Sequence, residues 1–307
     1  MDMYSDMNEN QSEMISLIKK LAPSQGYTQS ILENITFMRV DQALESMQTL
    51  YEPSIVIVLQ GEKHGYYLGE KYTYDAQNYL VVSVPLPFSV ETIASSEQPL
   101  LGLILRIDPL ILAELVVDLS DYSETLSGQS ISALYASPMD ICLENSVYRL
   151  IKALSEEREA KILAPSIYRE ILYRVLVNEQ GQVLRSTLYQ NNSFGKISKV
   201  LHYIHNQYQT KIDLDYLASQ ANLSIPSLHV HFKAVTSTSP IQYIKMIRLH
   251  KSRLMMIQEN TTVEDAARRV GYESTSQFSR EFKRLFGQSP MDEVKKMKSI
   301  FTLSPSS

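Results

Sequence analysis

The sequence predicts an α+β protein of two domains: a β-barrel or sandwich with flanking helices, followed by an all-α domain holding two helix-turn-helix units. Three observations predict it. From Asp213 to Pro290 one supersecondary unit is written twice. Between Ser54 and Ile107, six short β-branched or apolar runs alternate with turn residues. Charge is divided to match, since residues 194–300 carry 16 Lys and Arg against 9 Asp and Glu, and the rest of the chain 13 against 25. The domains are therefore expected at 1–190 and 191–307, with the two helical units at about 212–235 and 262–285.

In the repeat, Leu228, Phe232 and Lys233 recur as Phe278, Phe282 and Lys283, and Ser239-Pro240 recurs as Ser289-Pro290, all at a displacement of 50. Upstream the displacement is 49: Leu214, Leu217, Ala218 and Ala221 match Val263, Ala266, Ala267 and Val270. The slip falls at Gly271, in a turn, where spacing can drift without breaking either helix. Asp213 can cap a helix whose inward stripe is Leu214, Leu217, Ala218 and Ala221. Ser224 then starts the next helix, with Pro226 in its first turn, where a missing amide hydrogen does no harm. Its buried face is Leu228, Phe232 and Val235. In the second copy Thr261 with Glu264, and Ser274 with Gln277, fit reciprocal capping pairs. Gly271 supplies the turn, and Phe278, Phe282 and Leu285 repeat the buried stripe.

Removing the core face leaves Pro226, Ser227, His229, Val230 and Lys233 outward on one helix, and Thr275, Ser276, Ser279, Arg280 and Lys283 outward on the other. Hydroxyls near a helix start followed by a cation one turn on suit a helix end inserted into the major groove. The hydroxyls, with Ser224 and Ser274, meet base edges or phosphates; Arg280 can take a guanine through two parallel hydrogen bonds; Lys233 and Lys283 reach phosphates. One such helix is equally well explained as a solvated face. Two in one chain, each with caps and core, favour nucleic acid, and a basic C-terminal third on an acidic body fits a phosphate-binding module.

The run Leu214-Asp215-Tyr216-Leu217-Ala218, Leu223-Ser224 through Phe232-Lys233, Ser239-Pro240 with Tyr243, Arg248-Leu249, Ala266-Ala267 through Val270-Gly271-Tyr272, and Phe278-Ser279-Arg280 through Gly287 to Ser289-Pro290 resembles the DNA-binding domain of the AraC/XylS family of bacterial transcription regulators. The resemblance implies a long helix, about Ile241 to Ile257, joining the two units. It also implies reading helices that enter successive major-groove segments of promoter DNA, about one helical turn apart. Carried over position by position, base reading falls on Pro226, His229 and Val230 and on Thr275, Ser276, Ser279 and Arg280. Three departures stand out. Val230 occupies an often polar place, His231 a usually apolar one, and Glu293-Val294 replace the customary Tyr-Arg. Arg280 is accordingly expected to dominate direct readout.

The N-terminal part is read from its punctuation. Met14, Leu17, Ile18 and Leu21 have helical spacing, ended by Pro23-Ser24-Gln25-Gly26. Strands are expected at Ser54–Leu59, Tyr66–Leu68, Tyr72–Tyr74, Tyr79–Val84, Phe88–Ile93 and Leu101–Ile107, with Asp75, Asn78, Pro85, Pro87 and Pro99 in turns. The text from Tyr51-Glu52-Pro53-Ser54 through Leu86-Pro87, and again at Ala164-Pro165, Arg169 to Arg174 and Gly181 to Arg185, resembles the N-terminal domain of one AraC-family branch. That resemblance implies a cupin-like barrel that senses a small molecule or mediates pairing of subunits. Gln60, His64, Tyr66 and Arg106 are candidates for an effector pocket, although alternation along strands also places such residues outward.

Other classes fare worse. A metal-dependent barrel needs several histidines, and His64 is the sole one in the first 190 residues. No metal, no cofactor and no enzymatic activity are expected. An enzyme or carbohydrate-binding barrel with an incidental helical appendage is the rival reading, and a DNA binder without sequence preference is a third. Met1 to Gln11 is polar and acidic, unlike a signal segment, and no run of about 18 apolar residues exists, so a cytoplasmic protein with no membrane contact is expected. Cys142, the single cysteine, excludes an internal disulfide and is read as structural rather than as a sensor. Amphipathic helices are expected at Pro109–Leu119, Ser146–Leu154 and Ser166–Val177, covering the barrel or facing a second subunit, and a linker at Gln190–Gly195. His202 and His205 lack a third ligand, and His229 and His231 point to different helix faces. Beyond DNA, the expected partners are a small-molecule effector, RNA polymerase and a second copy of the chain.

Overall fold

The computed structural model describes residues 3–119, 133–188 and 193–300. The chain divides into two compact units: Met1–Ser46, Pro53–Ser83 and Val90–Leu188 form one, and Met47–Glu52, Val84–Ser89 and Tyr189–Ser307 the other. The expected boundary at 190, and Gln190 to Asn192 of the expected linker, lie outside the described residues. Ser193 to Gly195, read as the rest of that linker, are instead the first turn of a helix.

The strands β1 (Gly26–Gln29), β2 (Ile35–Val40), β4 (Ser54–Gln60), β7 (Asn78–Val82), β9 (Leu100–Arg106) and β10 (Leu134–Pro138) form a six-stranded sheet in the order β1-β2-β9-β4-β7-β10. A four-stranded sheet in the order β3-β8-β5-β6 contains β3 (Leu44–Tyr51), β5 (Glu62–Tyr67), β6 (Glu70–Tyr74) and β8 (Leu86–Ile93). Two sheets, rather than one ladder closed on itself, are thus the form the sheet-rich domain takes. All six expected strands are present. β5 starts four residues early, at Glu62, and β8 at Leu86, which moves Pro87 from a turn to the second residue of a strand, where a missing amide hydrogen is tolerated. Asn78 likewise opens β7.

β4 explains the position of the core. Its run of Ile55, Val56, Ile57, Val58 and Leu59 is wholly buried because β9 and β7 pair along its edges while the helix α1 (Met3–Leu21) and β6 of the other sheet lie against it. Met14 and Ile18 of α1 are buried, as their spacing requires, and Gln11 Nε2 donates to Leu59 O at 3.1 Å. Close pairing of β9 with β4 needs Gly102, where a Cβ would stand 2.3 Å from Ile57 O.

Helices α2 (Pro109–Asp118), α3 (Ile141–Leu154), α4 (Glu157–Ile162), α5 (Ala164–Val177) and α6 (Gln182–Leu188) complete this region, with a 3-10 turn at Glu179–Gly181. Asp108 and Asp140 cap α2 and α3. Arg169 of α5 pairs with Glu114 and Asp118 of α2 at 2.6 and 3.1 Å, and the neighbouring Glu170 meets Arg149 and Ser146 of α3 and Arg174 of its own helix. Burial works against the charged form of Glu170, but the two guanidinium groups and the Ser146 hydroxyl prevail and hold its pKa at about 2. Cys142 is exposed in the first turn of α3.

The second unit contains α7 (Ser193–Gln207), α8 (Leu214–Gln220), α9 (Ile225–Thr236), α10 (Pro240–Gln258), α11 (Val263–Arg269), α12 (Thr275–Phe286) and α13 (Pro290–Ile300). The joining helix α10 extends one residue beyond each expected end. Leu217, Ala218, Ala221, Leu228, Phe232 and Val235 are buried in the first repeat, and Ala266, Ala267, Val270, Phe278 and Phe282 in the second. Leu285, expected with them, is half-buried. Among the described residues no helix is long and apolar enough to cross a membrane.

Candidate nucleic-acid interface

Two helix-turn-helix units, α8–α9 and α11–α12, repeat in their end chemistry as well as in their cores. Asp213 caps α8 by accepting from Asp215 N at 3.0 Å, and the residue 49 positions on, Thr262, caps α11 by accepting from Asp265 N at 3.2 Å. The capping residue is therefore Thr262 and not Thr261, a correction already implied by the displacement. Ser224 and Ser274 cap α9 and α12, and Ser239 caps α10. Asn222 and Gly271 hold the two turns in the left-handed region at φ +50° and +85°, and Ser237 and Gly287 end α9 and α12 at +63° and +82°. The Ser274–Gln277 pair is not reciprocal: Ser274 accepts from Gln277 N, but the Gln277 side chain runs along the helix to Glu281 Oε1 at 3.2 Å. Thr262→Ala is expected to lower stability by about 1 kcal/mol and Thr261→Ala by far less, as read from urea unfolding.

The orientation of α12 is set from its inward side. Glu281 receives Lys245 Nζ of α10 at 2.8 Å and Tyr272 Oη at 2.8 Å. Burial opposes ionisation of Glu281, yet these donors and Gln277 outweigh it and lower its pKa, while burial beside that carboxylate pushes the Tyr272 phenol up. With Glu281 fixed inward, Arg280 and Lys283 face solvent, and Thr275 and Ser279 are half-buried beside exposed Ser276. On α9, Pro226, Val230 and Lys233 are exposed and His229 is half-buried. Among the described residues no side-chain hydrogen bond or ion pair engages His229, Lys233, Thr275, Ser276, Ser279, Arg280 or Lys283. Arg268 and Arg269 of α11, by contrast, are held by Asp265 and Glu259.

Of the remaining histidines, His231 of α9 is half-buried. His202 is exposed, and His205 lies 3.2 Å from Tyr243 Oη. His250, on α10, is buried edge-on against the Phe286 ring at 5.1 Å between centroids, and burial beside Arg253 holds its pKa well down. Glu293, one of the departures in the sequence, is buried and meets Arg253 Nη1 at 3.1 Å. Its role was not legible, because Arg253 lies 40 residues away in sequence.

The four candidate effector residues do not form one site. Gln60 Nε2 donates to Pro99 O at 2.8 Å, and Arg106 donates to Glu33 O. In the β4–β9 register Gln60 pairs with Leu101, five residues from Arg106, which separates the two by roughly 17 Å of strand. His64 and Tyr66 stay together: Tyr66 Oη donates to Glu91 Oε2 at 2.8 Å, the His64 Nδ1 lies 3.3 Å from the same oxygen, and Nε2 meets Glu62. Among the described residues no cluster of three His, Cys, Asp or Glu could hold a metal ion. A cleft of about 540 Å³, unforeseen, lies near Gly61, Glu62, Asp75, Gln77, Ile93 and Gln98. The sequence marks it only by turn residues.

Paired capped helices with free cations, preceded in the sequence by a sheet-rich region, define a helix-turn-helix protein with an N-terminal accessory domain. The family model described as the AraC-type transcriptional regulator N-terminus matches residues 31–183, and a helix-turn-helix domain model matches 217–296. The chain belongs to the AraC family of transcriptional regulators. The HTH-type transcriptional activator RhaS of Escherichia coli O1:K1 / APEC is 29% identical over 148 residues, 48% of this chain and 52% of RhaS. The chain thus aligns with about half the length of the curated relatives it matches. Crystal structures of ToxT from Vibrio cholerae share the fold: the unsaturated fatty acid-bound wild type of strain SCE256 has a TM-score of 0.57 at 13% identity, covering 88% of this chain and 98% of ToxT. A P21 form has 0.59 at 12% identity, covering 87% and 98%.

Proposed function

We propose that this chain is a sequence-specific transcriptional regulator, with residues 191–307 binding promoter DNA and residues 1–190 sensing a small molecule. The observation that carries the reading is the repeated presentation of capped helices on which His229, Lys233, Thr275, Ser276, Ser279, Arg280 and Lys283 are engaged by no other side chain. α9 reads through Pro226, His229 and Val230, and α12 through Thr275, Ser276, Ser279 and Arg280. Ser224, Lys233, Ser274 and Lys283 hold phosphates. The effector shifts the population able to bind productively, by altering pairing with a second copy or contact with RNA polymerase. The protein works where its DNA is, in the cytoplasm, and carries out no catalysis. ToxT bound to an unsaturated fatty acid makes that class the first effector to test, with the cleft near Gly61 and the His64–Tyr66 pair as places to look.

Selection of genomic fragments on the full chain, in excess unrelated DNA, tests this. A recurrent bipartite sequence is expected; uniform recovery of all fragments would leave a binder without sequence preference. Lys283→Ala should weaken specific and non-specific binding alike and make the salt dependence of log K shallower by about one unit. An unchanged slope removes Lys283 from the phosphate contacts.

A further inference from the structure

Arg248 stands on α10, the helix that joins the two reading units, and its half-buried guanidinium is spent entirely on backbone. Nε donates to Tyr208 O at 2.7 Å, Nη2 to Thr210 O at 2.8 Å, and Nη1 to Gly271 O at 3.1 Å. Tyr208 and Thr210 lie in the corner between α7 and α8, and α7 packs on both α8 and α9. Gly271 is the turn between α11 and α12. One planar group therefore holds the corner that leads into the first helix-turn-helix unit through two carbonyls and the turn of the second unit through one.

The contact it bridges is close. Gly271 has φ +85°, and a Cβ there would stand 2.5 Å from Gln209 O and 3.2 Å from the Arg248 guanidinium carbon. The corner before the first unit and the turn of the second thus touch through backbone, with room for no side chain. Lys245, one turn earlier on α10, ties α12 through Glu281, but it makes no comparable reach to the 208–210 corner. Three carbonyls that accept separately from Nε, Nη1 and Nη2 match the fork of a guanidinium and not the point charge of an ammonium. Burial lowers the Arg248 pKa from its usual high value, opposed by Tyr272 and Glu281 nearby.

We infer that Arg248 is a positioning residue that sets the separation and angle between α9 and α12, and thereby the spacing between the two DNA segments the protein accepts. It touches no base in this role. The inference rests on the DNA-reading proposal for its consequence, but not for the clasp itself. A reading pair held rigidly can fit its two major-groove segments at one spacing, whereas a loosened pair tolerates several.

Two measurements on the full chain separate these. Spin labels at Ala234→Cys and Arg284→Cys, exposed sites 50 residues apart on α9 and α12, in a Cys142→Ser background, report the distance between the helices without DNA. A narrow distribution is expected with Arg248 and a broad or displaced one with Arg248→Met. On duplexes carrying the selected site with one base pair inserted between its halves, the parent protein should lose about tenfold in affinity or more, and Arg248→Met less than about threefold, while both keep the same salt slope. Unchanged distances overturn the inference, as does a broadened distribution with undiminished spacing discrimination. If Arg248→Met does not fold, as judged by helical circular dichroism, Arg248→Lys, which keeps the charge but not the fork, decides by the same criteria. If the parent protein shows no preferred sequence at all, the reading proposal fails, and the distance measurement alone judges the clasp.

Discussion

Glu293→Ala is expected to lower the stability of the helical unit by about 3–5 kcal/mol, the range for breaking a buried ion pair from one side. Both partners are deeply enclosed: the Arg253 and Glu293 side chains are each 7% exposed and meet at 3.1 Å. Gln288 Nε2 donates to the second Glu293 oxygen, and the Arg253 guanidinium lies 4.5 Å from the centre of the Phe286 ring. Removing the carboxylate deprives a buried positive charge of its counter-charge. The combined change Arg253→Met with Glu293→Leu, which removes both charges and keeps volume, should recover most of the loss. Circular dichroism during thermal and urea unfolding measures both. A single variant that melts like the parent would show the pair to be solvated, and the departure from the family's usual Tyr-Arg at this point to be without structural consequence.

What could be read in the sequence, and what could not, divides along physical lines. The helical repeat was legible because its signals are local: caps, turn residue and apolar stripe all fall within a dozen residues, although the second cap was read at Thr261 and lies at Thr262. Interior strands such as β4 and β9 were legible because burial on both faces demands continuous apolar runs. β1, β3 and β10 were missed, and all three lie at sheet edges, where short polar segments such as Gly26–Gln29 suffice. β2 is the exception, an interior strand whose buried Ile35, Phe37, Met38 and Val40 carried a readable pattern. The separation of Gln60 from Arg106 was not legible for another reason. Gln60 and Arg106 sit near opposite ends of the β4–β9 ladder, and register is a long-range property that residue type does not encode. Arg248 was visible as part of a motif, but its three carbonyl partners come from two distant turns.

Arg280→Ala is expected to abolish discrimination at one or two base pairs, a change of about 1–3 kcal/mol for a bidentate guanine contact. The repeat itself gives the reason for choosing this residue. Val230 occupies the equivalent place in the first unit, 50 residues earlier, and is 67% exposed, so the same outward position carries a methyl surface in one helix and a guanidinium in the other. A valine can rest on a thymine methyl and can donate nothing; an arginine held by no other side chain can address both acceptors of a guanine. Glu281, the next residue, is drawn inward by Lys245 and Tyr272, which leaves Arg280 no rotation of the helix that would bury it. Arg280→Lys keeps the charge but loses the two-pronged geometry, so it should restore non-specific affinity without restoring base preference. Val230→Ala should alter preference by much less. Affinities for every single-base substitution of the selected site, measured for the parent and the three variants at one salt concentration, decide the matter. Profiles for Arg280→Ala and the parent that differ only by a constant factor would make Arg280 a phosphate contact and transfer base reading to the hydroxyls of Thr275, Ser276 and Ser279.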